Sequence, residues 1–142
     1  MATKRQKRVR APGEDRMGRI ELHYASAAGD ATAVLNHLRS GADPNATDDN
    51  GWSPLHFAAQ ANSSAVARLL LQAGGEVNAQ ESNGNTPLST AVFASRGDGE
   101  VIELLRSAGA DPFLKNNYEV SPVSLARTIA NYDVAKFFND LL

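Results

Sequence analysis

The chain has no cysteine, and several other features are scarce. Without cysteine it cannot form a disulfide, a cysteine-ligated zinc site or a thiol nucleophile. No apolar run approaches the ~18 residues that a membrane-spanning helix needs, and no apolar stretch of the kind found in secretory signals follows the basic N-terminus. We therefore expect a cytoplasmic protein with no membrane partner. Its 142 residues, 42% of them hydrophobic, suffice for one domain with a core.

The residue patterns that carry catalysis are also missing. No nucleophile, base and orienting residue form a recognisable set, and no histidine pair or carboxylate cluster has metal-ligand spacing. No glycine-rich phosphate loop is present. Asp48-Asp49-Asn50-Gly51 lacks the alternation of a calcium loop and is more typical of a β-turn. The sequence predicts a protein that is not an enzyme and has no metal, cofactor or small-molecule substrate.

Charge is distributed unevenly along the chain. Residues 1–19 hold seven Lys/Arg against two acidic residues, a balance of +5, whereas residues 20–142 hold seven against fourteen, a balance of −7. An acidic body suits basic partners and repels nucleic acid. The basic run at residues 4–10 precedes Ala11-Pro12-Gly13, so we expect residues 1–16 to form a flexible arm. That arm is either a solvated tail or a segment for nuclear targeting or nucleic-acid contact.

The chain repeats itself at a nearly constant period. The stretch GWSPL at residues 51–55 recurs 33 residues later as GNTPL and 33 residues earlier as GRIEL. A weaker copy, EVSPV, begins at residue 119, which is 35 residues after its predecessor. A second landmark, represented by SGADPNA at residues 40–46, recurs with the same spacings. Two residues are therefore inserted in the third unit, between residues 93 and 100.

Each unit shows the pattern of two antiparallel helices. A Ser/Thr-Pro pair caps a short alanine-rich helix. An aliphatic second helix follows, around residues 66–71, 101–105 and 134–138 in the last three units. Gly41, Gly74 and Gly109 end the second helices, and Asp/Asn/Gly-rich segments lead to the next unit. The sequence predicts an all-α solenoid of about four helix-turn-helix repeats with short β-hairpin connections, in one domain over residues 17–142. The expected repeats span about residues 17–49, 50–82, 83–117 and 118–142.

These units resemble the ankyrin repeat, whose pattern centres on G-x-T-P-L-H-x-A-A and ends in L-L-x-x-G-A-D-x-N. The resemblance covers roughly residues 17–142, and it departs from the pattern at both ends. Ile20-Glu21 replaces Thr-Pro in the first unit, as in an N-terminal cap. Glu119 replaces the glycine of the fourth unit, which ends in Phe137-Phe138 and Leu141-Leu142 and is expected to cover the last apolar face.

The resemblance also assigns roles to two histidines. In the ankyrin pattern the histidine bonds to the turn that links neighbouring units. His23 and His56 occupy this position, and Ser89 and Ser124 replace them in the later units. We therefore predict a structural role for both histidines, because buried polar groups need partners.

Ankyrin domains bind proteins through their turn tips and the concave surface of their first helices. Trp52, Phe93, Tyr118 and Arg19 are of residue types enriched at binding hot spots. Phe93 has the alternative of packing under the inserted loop, and Arg96 lies within that loop. The family's variable positions, carried over one by one, also include Ala27, Val120 and Arg127. The expected partner-binding residues are eleven of the carried-over positions together with Arg96 of the inserted loop: Arg19, Asp49, Asn50, Trp52, Gln60, Ser82, Asn83, Asn85, Phe93, Arg96, Asn117 and Tyr118.

Three segments are similar to a group of small stand-alone bacterial ankyrin proteins, namely residues 18–25, 91–97 and 126–134. That group includes immunity proteins encoded beside secreted toxins. The resemblance implies a module that binds and inhibits a cognate toxin, and a basic toxin domain would fit the acidic body. The alternative is an ankyrin adaptor or regulator whose basic arm targets the nucleus or contacts nucleic acid.

Overall fold

The computed structural model describes residues 12–141, so the basic run at residues 4–10 lies outside it. No strand occurs among the described residues, and the fold is all-α. The connections predicted as β-hairpins are turns without a strand ladder in this part of the chain. None of its helices is long and apolar enough to cross a membrane. The helices are, in chain order, α1 (Glu21–Ala27), α2 (Ala31–Arg39), α3 (Pro54–Gln60), α4 (Ser64–Gln72), α5 (Pro87–Ala94), α6 (Glu100–Ser107), α7 (Pro122–Thr128) and a 3-10 helix (Ala135–Leu141).

The Ser/Thr-Pro pairs begin helices as the sequence predicts. Ser53, Thr86 and Ser121 each accept a hydrogen bond from the backbone N–H three residues further on, at 3.4, 3.3 and 3.2 Å. The proline that follows each cap occupies the first turn, where its missing N–H removes no helical bond. Ile20 precedes α1 and offers no side-chain cap, so its own N–H donates instead to Nδ1 of His23 at 3.0 Å.

The helices stack in two rows. The first helices α1, α3, α5 and α7 contact one another in sequence, and α2, α4 and α6 form the second row. Leu55, Val66, Leu70, Leu88 and Ile102 are fully buried between the rows. Each such side chain stabilises the fold by about 1.5–3 kcal/mol. Because a single helix pair cannot cover its own apolar face, the stacking itself creates the core.

A polar side chain stands at the centre of each turn between units. The Asp48 carboxylate accepts the backbone N–H groups two and four residues further on, both at 2.9 Å. Glu81, Asn116 and Asp15 make the same pair of bonds in the other turns. These four positions are 33, 33 and 35 residues apart, so the signal was present in the sequence and was missed. Because Asp15 belongs to the first turn, that turn begins before residue 17. The exact limit of the N-terminal arm stays a prediction.

The inserted residues lie between the two helices of the third unit. Residues 61–63 connect α3 to α4, whereas residues 95–99 connect α5 to α6. The longer turn is held by Asp98, which accepts the N–H of Glu100 at 3.1 Å and the Asn62 side-chain amide at 3.0 Å. The insertion therefore lengthens one turn and leaves the stacking period of the helices intact.

The C-terminal end differs from the expected second helix. A 3-10 helix replaces the α-helix predicted around residues 134–138, and Phe138 within it has non-helical dihedral angles of −124° and 17°. The segment is held by Arg106, which donates to the Phe137 carbonyl at 2.8 Å and to both carboxylate oxygens of Asp140 at 2.8 and 2.7 Å. The 3-10 helix is thus held by bonds from a side chain of α6 that lies more than 30 residues earlier in the chain.

Candidate functional site

A groove of about 450 Å³ crosses α3, α5, α7 and the three turns that precede them. We call it the aromatic groove. Five of the twelve residues predicted to bind a partner line it together, namely Trp52, Gln60, Asn85, Phe93 and Tyr118. Its remaining lining residues are Ser89, Thr90, Ala94, Asn116, Val120 and Leu125.

Two aromatic side chains of the groove are unusually exposed. Phe93 is 79% exposed and Tyr118 is 72% exposed, whereas the aliphatic residues of the neighbouring core are fully buried. Phe93 therefore does not pack under the inserted loop, which was its alternative role. Large apolar side chains held in water on a rigid scaffold are typical of interaction surfaces.

Trp52 is half-buried and forms part of the scaffold as well as of the groove. Its ring lies 5.1 Å from the Phe57 ring and 5.6 Å from the His56 ring, measured between centroids. Its truncation would therefore disturb internal packing along with any partner contact. Phe93 and Tyr118 are the cleaner positions for testing the surface.

Arg19 lies apart from the groove and is engaged within the chain. Its Nε donates to the buried Asp48 carboxylate at 3.1 Å, and this hydrogen bond raises the pKa of Arg19 above its ordinary value. The guanidinium carbon also lies 5.2 Å from the centre of the Phe57 ring and 5.8 Å from that of Tyr24. The structure thus gives Arg19 a structural role between the first two units.

The predicted turn-tip residues connect one unit to the next. The N–H groups of Asp49, Ser82 and Asn117 donate to carbonyl groups of the preceding turn at 2.8, 2.9 and 2.9 Å. The carbonyls of Asn50 and Asn83 are two of these acceptors. The Ser82 hydroxyl and the Asn117 amide add side-chain bonds to the same ladder, at 2.6 and 2.9 Å. These residues form a rigid edge beside the groove.

Arg96 lies in a second depression, of about 660 Å³. This depression shares Gln60, Phe93 and Ala94 with the aromatic groove and also contains Tyr132. The exposed Arg96 has a left-handed backbone, with φ of 49°. Arg96 follows Phe93 by three residues, and no other Lys or Arg is nearer to Phe93 in the sequence.

His23 and His56 have the structural role that the sequence predicts. Nε2 of His56 bonds to the Asn85 carbonyl of the next unit at 2.9 Å, and its Nδ1 accepts the Ser53 N–H at 3.2 Å. His23 bridges to the Ala46 carbonyl at 2.7 Å in the same way. Burial lowers the pKa of both histidines below the ordinary value. Burial therefore favours the neutral ring, in which Nδ1 can accept a backbone N–H as it does here.

Of the six remaining lining residues, Val120 is a carried-over variable position, and sequence reasoning missed the other five, namely Ser89, Thr90, Ala94, Asn116 and Leu125. A signal existed for those on α5, because Ser89 and Thr90 lie three or four positions before Phe93 and Ala94 and therefore share their face. Asn116 and Leu125 come from the next unit, so only the stacking of units brings them to Phe93.

Comparison with known families matches residues 22–116 to the model described as Ankyrin repeats (3 copies). Comparison with curated proteins finds no match. The matched segment spans α1 to α6 and the turn that follows, and it covers more than half of the chain. Its stacked helix pairs, Ser/Thr-Pro caps and histidine bridges are those that the repeat pattern requires. The chain therefore belongs to the ankyrin-repeat family.

Proposed function

We propose that the chain is a non-catalytic binding module whose protein partner docks on the aromatic groove. The observation that carries this proposal is the exposure of Phe93 and Tyr118 side by side with Trp52 on a rigid stack. A few residues supply most of the binding energy at protein interfaces, and aromatic residues such as Trp and Tyr are enriched among them. Ankyrin repeats are protein-interaction modules, which supports the same reading.

The partner we propose is a secreted toxin domain, which the chain inhibits in the cytoplasm as an immunity protein. The similarity of residues 18–25, 91–97 and 126–134 to small bacterial ankyrin proteins supports this identity. The balance of −7 over residues 20–142 favours a partner of opposite charge, because complementary potentials speed association. Inhibition then requires only that the bound module covers or distorts the active surface of the toxin.

A second candidate function is an ankyrin adaptor or regulator, and the basic arm favours it. Five Lys/Arg residues lie within residues 1–11. Such a cluster provides phosphate contacts or a nuclear-targeting signal. In either function, we propose that α7 and the 3-10 helix form a truncated fourth repeat, since α7 stacks on α5 as α5 does on α3.

The test is affinity capture with the tagged full-length chain, followed by titration of the purified partner. The wild-type chain is compared with a Phe93→Ser/Tyr118→Ser double variant and with Phe113→Ser as the control. Phe113 is 58% exposed but lies outside the groove. We expect the double variant to raise the dissociation constant at least about tenfold, since hot-spot truncations cost about 2 kcal/mol or more.

Two readouts separate the candidate functions. Inhibition of a toxin-like activity by the wild-type chain, relieved in the double variant, supports the immunity protein. The adaptor is supported instead if alanine substitution of Lys4, Arg5, Lys7 and Arg8 abolishes nuclear import or nucleic-acid binding. Equal dissociation constants for the double variant and the wild type would refute the proposed docking surface.

A further inference from the structure

The lining of the aromatic groove contains no charged side chain. All eleven residues that form it are apolar, hydroxyl-bearing or amide-bearing. This is notable because Asp and Glu outnumber Lys and Arg by two to one over residues 20–142. None of the acidic side chains of residues 20–142 therefore lines the groove.

Several polar atoms of the lining already have partners within the chain. The Asn116 amide group donates to the side-chain oxygen of Asn85 at 2.8 Å. The Asn116 oxygen accepts the backbone N–H groups of Tyr118 and Val120 at 2.8 and 3.0 Å. The Thr90 hydroxyl donates to the Thr86 carbonyl at 3.3 Å. The Asn116 side chain and the Thr90 hydroxyl are therefore already bonded within the chain and do not need a polar group of the partner.

Two carboxylates in the turns that line the groove, those of Glu81 and Glu119, are also engaged within the chain. Glu81 is buried, and one of its oxygens accepts the N–H groups of Asn83 and Asn85 at 2.7 and 2.9 Å. Glu119 follows Tyr118 but pairs with Lys115 at 3.2 Å on the open surface. An incoming ammonium or guanidinium group would lose its hydration without gaining a carboxylate partner within the lining. Contact with an aromatic face offsets only part of that loss.

We infer that the aromatic groove receives an uncharged apolar side chain of its protein partner, of the size of Leu, Met, Phe or Trp. The inference rests on the proposed function and specifies the partner at that site. An uncharged apolar side chain matches the uncharged, aromatic lining because it enters without losing the hydration of a charge. A volume of about 450 Å³ lies within the range of about 300–1,000 Å³ typical of ligand pockets, so it can hold one or two such side chains. Charge attraction from the acidic body then acts outside the groove and affects association rates.

The probe is a displayed library of random peptides, panned against the immobilised full-length chain. Binders are synthesised with a fluorescent label, and their dissociation constants are measured by anisotropy. Each is tested against Phe93→Ser and Tyr118→Ser, with Phe113→Ser as the matched control outside the groove. Phe93 and Tyr118 are mostly exposed, and a circular dichroism melt of each variant verifies the fold.

The expected binders carry an apolar anchor whose replacement by Ser or Lys raises the dissociation constant at least about tenfold. The same rise is expected with Phe93→Ser and with Tyr118→Ser but not with Phe113→Ser. Added salt should change the dissociation constant of the wild-type chain by less than about twofold.

Binders that need a Lys or Arg in the groove would overturn the inference and leave the docking site in place. Binders that ignore both groove variants would overturn the proposed docking site as well. A library without any groove-dependent binder would also count against the inference.

Discussion

Gly84 shows how closely the turns of neighbouring units approach each other. Its φ is +81°, and a Cβ placed on it would lie 2.8 Å from the backbone nitrogen of Asn117 and 3.0 Å from Cα of Asn116. Gly41 provides a matched comparison, because its φ is +92° but no atom lies within 4 Å of its added Cβ. Alanine at Gly84 therefore carries a backbone clash in addition to left-handed strain.

The two costs can be estimated separately. Left-handed backbone costs a residue with a Cβ about 1–2 kcal/mol, so Gly41→Ala should lower the free energy of unfolding by that amount. In Gly84→Ala the turns must also move apart, which breaks the 2.9 Å bond from Asn117 N–H to the Asn83 carbonyl. Asn83 and Asn117 are exposed, so loss of this bond adds about 0.5–1.5 kcal/mol, for a total of about 1.5–3.5 kcal/mol.

Urea unfolding of both variants beside the wild type measures these values. The chain itself contains a related comparison, since Glu119 occupies the glycine position of the last turn with φ of +63°. No further turn follows it in the described part of the chain, so only the left-handed strain remains. Equal losses of stability in Gly41→Ala and Gly84→Ala would refute the argument from close approach.

Glu119→Gly is expected to raise the free energy of unfolding in urea by up to about 1 kcal/mol, because glycine relieves the left-handed strain; a decrease would contradict this. Gly99→Ala is expected to loosen the 3-10 helix, because its Cβ would overlap the Phe137 ring. Amide exchange should then accelerate first in residues 135–141, and uniform acceleration would count against the argument. Acidification from about pH 7 to about pH 5 should lower the free energy of unfolding, because burial lowers the pKa of His23 and His56. Below about pH 6.5 the unfolded chain binds more protons than the folded chain, so acid favours unfolding. A stability that does not change between these pH values would refute this argument.

The helices could be predicted because their signals are local and repeated. The Ser/Thr-Pro caps and the aliphatic second helices recur at a fixed period, so each unit confirms the next. The 3-10 helix could not be predicted in this way, because its geometry depends on the bonds from Arg106 to Phe137 and Asp140. The residues 134–138 alone have the composition of an ordinary helix.

The candidate site could be predicted only in part. Exposure of Phe93 and Tyr118 follows from their positions in the repeat, and the family pattern was enough to select them. Arg19 has the residue type of a binding hot spot, but its ion pair with Asp48 is visible only once two units are stacked. The uncharged lining also depends on stacking, since Asn116 and Leu125 reach Phe93 from the following unit.

Photo-crosslinking tests the central claim, a protein partner docked on the aromatic groove, most directly. A photoreactive phenylalanine analogue replaces Phe93 in one full-length chain and Phe113 in another, and both are irradiated in the presence of the partner. Both positions are exposed, at 79% and 58%, but only Phe93 lines the groove. The account predicts a crosslinked partner from position 93 and none from position 113. Crosslinking from position 113 alone, or from neither position, would contradict it.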